Sequence, residues 1–164
     1  MPKSKKLIIM SVYQNTYFII PRKGNFNLFE GLNLNSFMEE EGIFEDDLFW
    51  ENLNYKYEEY ENYLTNAFEI GESWSKKIKI FGDNDINCLK VFIEENLILS
   101  MSFRINFETD YSNFLEEVIE FCKRNDYLVV DNELNTLDLD FEIINKNILN
   151  SKAYKKFRNF FSNE

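Results

Sequence analysis

The sharpest hydrophobic pattern in the chain is LILSMSFRINF, residues 97–107, where Leu97, Leu99, Met101, Phe103, Ile105 and Phe107 alternate with Ser100, Ser102, Arg104 and Asn106. A period of two with one polar face predicts a strand of an antiparallel sheet that is covered on one side. Two further strands precede it. KKIKIFG (76–82) alternates Lys outward and Ile inward, and INCLKVFIE (86–94) places Leu89, Val91 and Ile93 on a common face. Turn residues at Gly82-Asp83-Asn84-Asp85 and at Glu95-Asn96 join the three as a meander. Near the start, KLIIMSVY (6–13) and TYFIIP (16–21) read as two strands of a hairpin, with Gln14 and Asn15 as its turn. YLVVD (127–131) reads as one more strand.

Helical periodicity takes over elsewhere. In 54–69, Tyr57, Tyr60, Leu64 and Phe68 share a face, Asn54 stands where a cap is expected, and Gly71 follows the end. In 110–124, Phe114, Leu115, Val118, Phe121 and Cys122 form the apolar stripe, and Lys123 and Arg124 suit the negative end of the helix dipole. Shorter helices are expected at about 139–149 and 152–161, and another over 35–41, ended by Gly42. The order predicts a single α+β domain spanning 1–164, a mainly antiparallel sheet with helices packed on one face.

Composition adds charge asymmetry. The net charge is −11, and it divides into +5 over residues 1–29, −12 over 30–72 and −4 over 73–164. Such a field repels nucleic acid and anionic membranes and attracts a cationic partner. The 17 Phe residues accompany much Asn, Ile, Lys and Tyr, the mixture that A+T-rich codons produce. Cys88 and Cys122 stand far apart and match no metal or redox spacing, which fits buried thiols in a reducing compartment. The first apolar run is about six residues, short for a signal peptide, so a cytoplasmic location is expected.

Catalytic chemistry finds few handles. The chain has no histidine, which excludes Ser-His and Cys-His nucleophile pairs and His-bound zinc. No Gly-rich phosphate loop or nucleophile elbow is present. Asp83, Asp85, Asn87 and Glu94 fall at positions of a calcium loop, but Cys88 occupies the place of its required Gly, and a strand would carry Glu94 away from the two Asp residues. Asp138 and Asp140 read as helix-start residues, and Glu116, Glu117 and Glu120 as a solvated helix face. The expectation is a protein that is not an enzyme, with no cofactor and no bound metal.

EEEGIFEDDLFWENLNYKYEEYENY, residues 39–63, is different in kind: ten carboxylates, seven aromatic rings and one base, Lys56. Exposed rings supply anchor energy at protein interfaces, and surrounding charge steers encounter. Glu39, Glu40, Glu41, Glu45, Asp46, Asp47, Phe49, Trp50, Glu58 and Glu61 are accordingly the candidate partner-binding residues, facing a basic protein partner.

SMSFRINFETDYSNFLEEVIEFCKRNDYLVV, followed by LNSKAYKKFRNFF, resembles the C-terminal half of immunity proteins of bacterial polymorphic toxin systems. In those proteins a strand with a conspicuous Arg leads to a helix, and a segment with Ser, an aromatic residue and a basic pair closes the chain. The likeness spans about residues 74–161. It implies a non-enzymatic α+β protein that blocks one cognate toxin, and it carries over no individual functional residue. Two alternatives stand beside it: a nucleic-acid mimic from a mobile element that blocks a DNA-binding enzyme, and a carboxylate- and metal-dependent enzyme. The oligomeric state is open.

Overall fold

A computed structural model describes residues 13–23, 44–51 and 53–162. Among them are six strands and four α-helices. The strands are β1 (Gln14–Pro21), β2 (Ile78–Gly82), β3 (Cys88–Glu94), β4 (Leu97–Asn106), β5 (Tyr127–Val130) and β6 (Thr136–Leu137). The helices are α1 (Glu58–Ala67), α2 (Ser112–Asn125), α3 (Phe141–Asn150) and α4 (Lys152–Ser162), and a 3-10 turn covers Asp46–Phe49. The strands form one sheet in the order β2-β3-β4-β1-β5-β6, with every pair antiparallel. The fold is therefore α+β, as the periodicities predict.

Residues opposed across antiparallel strands point to the same side of the sheet. Tyr17, Leu89, Val91, Met101, Phe103 and Val129 make the inner side and join the main core with Leu64, Leu115, Val118, Phe121, Ile144 and Ile148 from the helices. Phe18, Ile20 and Val130 lie on the outer side, where Phe44 and Phe49 pack on them.

The anticipated N-terminal hairpin is corrected. Gln14 and Asn15 are not a turn but the first residues of β1, opposite Asn106 and Ile105 of β4. Residues 6–12 of the proposed first strand lie outside the described residues, as does the expected helix at 35–41. An Asn that is only 4% exposed is tolerable because its polar atoms are satisfied: Asn15 Nδ2 donates to the Tyr17 hydroxyl at 3.2 Å, and Oδ1 accepts from Asn132 at 3.0 Å.

Two finer expectations also change. Asn54 does not cap α1; it sits at φ 55° in the left-handed region, and Tyr57 precedes the helix without a side-chain cap. Glu58, Glu59 and Glu61 in the first turn answer the helix dipole in its place. In β4 the alternation breaks at Leu99, which is 39% exposed. The register with β3 runs Phe92 to Ser100 and then Ile93 to Ile98, so Leu99 is the extra residue of a bulge and Ile98 takes the buried place. In β2, Ile78 and Ile80 are buried on the outer side with Cys88, while Lys79 points to the other side, above the Tyr57 ring at 5.9 Å.

The helix ends follow local rules. Asp126 closes α2 in the left-handed conformation at φ 55°, its N–H reaching the Cys122 and Lys123 carbonyls. Asp140 caps α3, its side chain accepting from Ile143 N at 3.1 Å, the structural role expected of that acid. No helix among the described residues is long and apolar enough to cross a membrane.

Candidate functional site

Among the described residues, the acids of 39–63 do not converge around exposed rings. Glu39, Glu40 and Glu41 lie outside the described residues. Glu45, Asp46 and Asp47 are on or beside the 3-10 turn, which is fixed to the outer side of the sheet through Phe44 and Phe49. Glu58 and Glu61 are exposed on α1, which enters the main core through Leu64. The expected anchors are corrected. Phe49 and Trp50 are 1% and 2% exposed, and Trp50 Nε1 donates to the Ile19 carbonyl at 3.1 Å. Trp50 also meets Tyr127 and Tyr55 edge-on, at 5.2 and 5.9 Å. The chain itself covers both rings, so neither offers a partner an exposed face. An amphipathic ring next to acids reads alike as anchor or as core, and only the fold decides.

Asp46 is further compromised as a steering charge. Burial pushes its carboxyl up to about 7, and Asp47 adds to the rise against backbone N–H bonds that pull it down. The folded chain holds this proton more tightly than the unfolded one, so Asp46 withdraws stability as pH climbs from about 4 to about 7. Asp46→Asn should therefore raise the melting temperature at pH 8 and leave it nearly unchanged at pH 4, as read by thermal unfolding at the two pH values. Equal shifts at both would show that Asp46 titrates normally.

A different set of acids does converge. At the end of the sheet where β2 turns into β3, a cavity of about 420 Å³ is lined by Glu69, Asp83, Asp110 and Glu117, with Phe68, Ile86 and Phe114 as its apolar walls. A second of about 410 Å³ shares Glu69, Gly82 and Asp83 with it and adds Glu72, Asp85 and Ile70. Six carboxylates and no cation line the pair. Phe68 meets Phe114 edge-on at 5.6 Å, and Ile70 and Ile86 are 73% and 39% exposed at the walls.

Three chain segments build this cleft, and each is held for a local reason. Residues 69–71 run along β2: Gly71 N donates to the Ile80 carbonyl at 2.8 Å and Gly82 N to the Glu69 carbonyl at 2.6 Å. Gly82, at φ +92°, starts the β2–β3 turn, and a Cβ there would meet the Asn87 carbonyl oxygen at 2.4 Å. Asp83 then folds the turn by accepting from Asp85 N at 2.8 Å. The turn is fastened from behind. Arg104 donates to the Asn84 carbonyl and, at 3.2 Å, to Asn84 Oδ1, while Asn87 Oδ1 accepts from Asn106 N at 2.7 Å. Arg104 thus bonds to the turn and not to a neighbouring acid, the partner its place on a polar strand face suggests. Asp110 sits just ahead of α2, and hydrogen bonds from Ser112 hold its carboxyl below the usual range.

The other acid groups keep structural roles. Glu94 ends β3, away from the turn, and pairs with Lys77 at 3.1 Å, so the calcium-loop spacing is not gathered. Glu120 pairs with Arg124 at 3.3 Å along α2. Among the described residues no group of three or more His, Cys, Asp or Glu side chains is placed to hold a metal ion.

No family model, curated protein or solved structure matches the chain. The reading of the site therefore rests on its geometry. The cleft is not legible in the sequence because its acids come from 69–72, 83–85 and 110–117, and no window of the sequence unites them. The one signal was Asp83 and Asp85 beside Gly82, which reads equally as an ordinary turn.

Proposed function

We propose that this chain is an acidic protein-binding inhibitor, an immunity protein that neutralises a cognate basic toxin in the cytoplasm. The observation that carries this reading is the joined cleft with six carboxylates and no cation. Its exposed Ile70 and Ile86 give a partner apolar contact beside the charge. Fields of this sign raise the association rate of a cationic protein by roughly 10- to 1000-fold at low salt. A concave surface of acids with apolar walls suits Lys or Arg side chains projecting from a partner.

Charge reversal tests the reading. Glu69, Glu72 and Asp85 are exposed and can be replaced by Lys together without removing the bond that the backbone N–H of residue 85 donates to Asp83. The wild-type chain should retain a basic protein from the source cell at low salt and release it at high salt. The triple Lys variant should lose it, with association slowed at least roughly tenfold. A control carrying Glu45→Lys and Asp47→Lys should retain it. Equal capture by the wild type and the triple variant would remove the cleft from consideration.

A further inference from the structure

A second surface, of opposite character, lies on the outer side of β3 and β4. Lys90 and Phe92 of β3 stand opposite Ser102 and Ser100 of β4, and Arg104 lies diagonal to Lys90 on the same side. Among the described residues the helices pack on the other side, and none of them lies over this stretch of sheet. The segment leading into β2 brings Trp74 over it, and that ring lies 5.1 Å from Lys90 Nζ. Trp74 is 66% exposed and Phe92 36%, two aromatic rings left open together beside a cation. Exposed Trp is the side chain most enriched among residues that dominate binding energy.

The charges here are unusual for this molecule. Acids outnumber bases 29 to 18 in the chain, yet neither Lys90 nor Arg104 pairs with a carboxylate among the described residues. Glu94, the acid nearest along β3, is engaged by Lys77. Among the described residues Arg104 is met by the Asn84 oxygens and, at 3.8 Å, by Cys88 Sγ, and its buried Nε has no hydrogen-bond partner there. Burial, and then Arg104, lower the Lys90 ammonium from its usual range. A carboxylate brought to this place would find a cation already stripped of part of its water, where a charge pair gains more than it does at a fully wetted surface.

We propose that this face docks an acidic peptide segment of another protein, with a carboxylate on Lys90 and an apolar side chain against Trp74 and Phe92. Charge complementarity selects that occupant. Nucleic acid would bring a phosphate at every nucleotide into the field of a molecule of net charge −11, whereas a peptide needs only one or two carboxylates at the contact. A second copy meeting this face with the same face would set Lys90 and Arg104 against their own counterparts.

The probe is a capped pentapeptide with one aspartate and one phenylalanine two residues apart and serine elsewhere, titrated into the isotope-labelled chain. The expected result is saturable movement of the Trp74 indole signal and of the Lys90, Phe92 and Ser102 amides, with the buried Trp50 indole unmoved. Lys90→Glu should weaken binding by roughly tenfold or more, and Trp74→Ala should weaken it while the remaining spectrum stays folded. No movement, or movement that Lys90→Glu leaves unchanged, overturns the proposal. So does tighter binding of single-stranded oligothymidylate to the same residues, or shifts at these residues that follow protein concentration without peptide.

Discussion

Trp50→Ala should cost about 3–5 kcal/mol, the range for truncating a large buried ring. Natural domains are stable by only about 5–15 kcal/mol, so the variant should stand close to unfolding. Two losses combine. The indole fills the space between Tyr127 and Tyr55, and its N–H is the partner of the Ile19 carbonyl within the central strand β1. Trp50→Phe separates them: the ring contacts largely survive, and the lost hydrogen bond should cost about 1 kcal/mol. Urea unfolding followed by circular dichroism measures both. Had Trp50 been an exposed anchor, its removal would have left stability within about 0.5 kcal/mol and changed only partner dissociation.

The second large effect belongs to a residue that nothing in the sequence singles out. Asp131 is 4% exposed and forms no ion pair among the described residues. Its carboxylate instead accepts from Glu133 N at 3.0 Å, Asn135 N at 2.8 Å, Asn135 Nδ2 at 3.2 Å and Asn147 Nδ2 at 2.9 Å. Through Asn147, which accepts from the Tyr17 hydroxyl at 3.0 Å, the network ties the loop after β5 to α3 and to β1. Asp131→Ala would strand these donors at once and should cost about 3–5 kcal/mol. Asp131→Asn keeps one acceptor for the two backbone N–H groups and should cost less. Amide exchange at Glu133 and Asn135 should accelerate in the Ala variant well beyond its global loss of stability. A cost of under about 1 kcal/mol for Asp131→Ala would mean that water replaces the carboxylate, and the network would not be the brace described.

Neither of these roles is legible along the sequence, although much of the framework around them is. The meander β2-β3-β4 and the helices 58–67 and 112–125 were legible because each repeats apolar residues at its own period within one window. Asn15 and Asp131 were illegible for the opposite reason. Asn15 looks like a turn residue until Asn132, 117 residues further on, bonds to it, and Asp131 looks like a loop acid until Asn147 of α3 closes its network. The bulge at Leu99 hid in the same way, since an unbroken alternation in sequence gives no sign that the register slips by one residue. The acidic cleft needed three loops to meet, and the Lys90 face needed Trp74 to fold back over β3. In each case a non-local juxtaposition decided what the local pattern left open.

The placing of β1 has a consequence for how the molecule is made. That strand lies in the middle of the sheet, yet its partners are β4, with Phe18 opposite Ser102, and β5, with Phe18 opposite Val130. As the chain leaves the ribosome, β2, β3 and β4 can zip together from short loops, while β1, the earliest strand among the described residues, waits for β4, roughly 80 residues further on, and for β5, more than a hundred residues further on. Closing such distant pairs is slow, so the newborn chain passes through an interval with its central slot empty, and this is the stage at which it is most open to a chaperone or to aggregation.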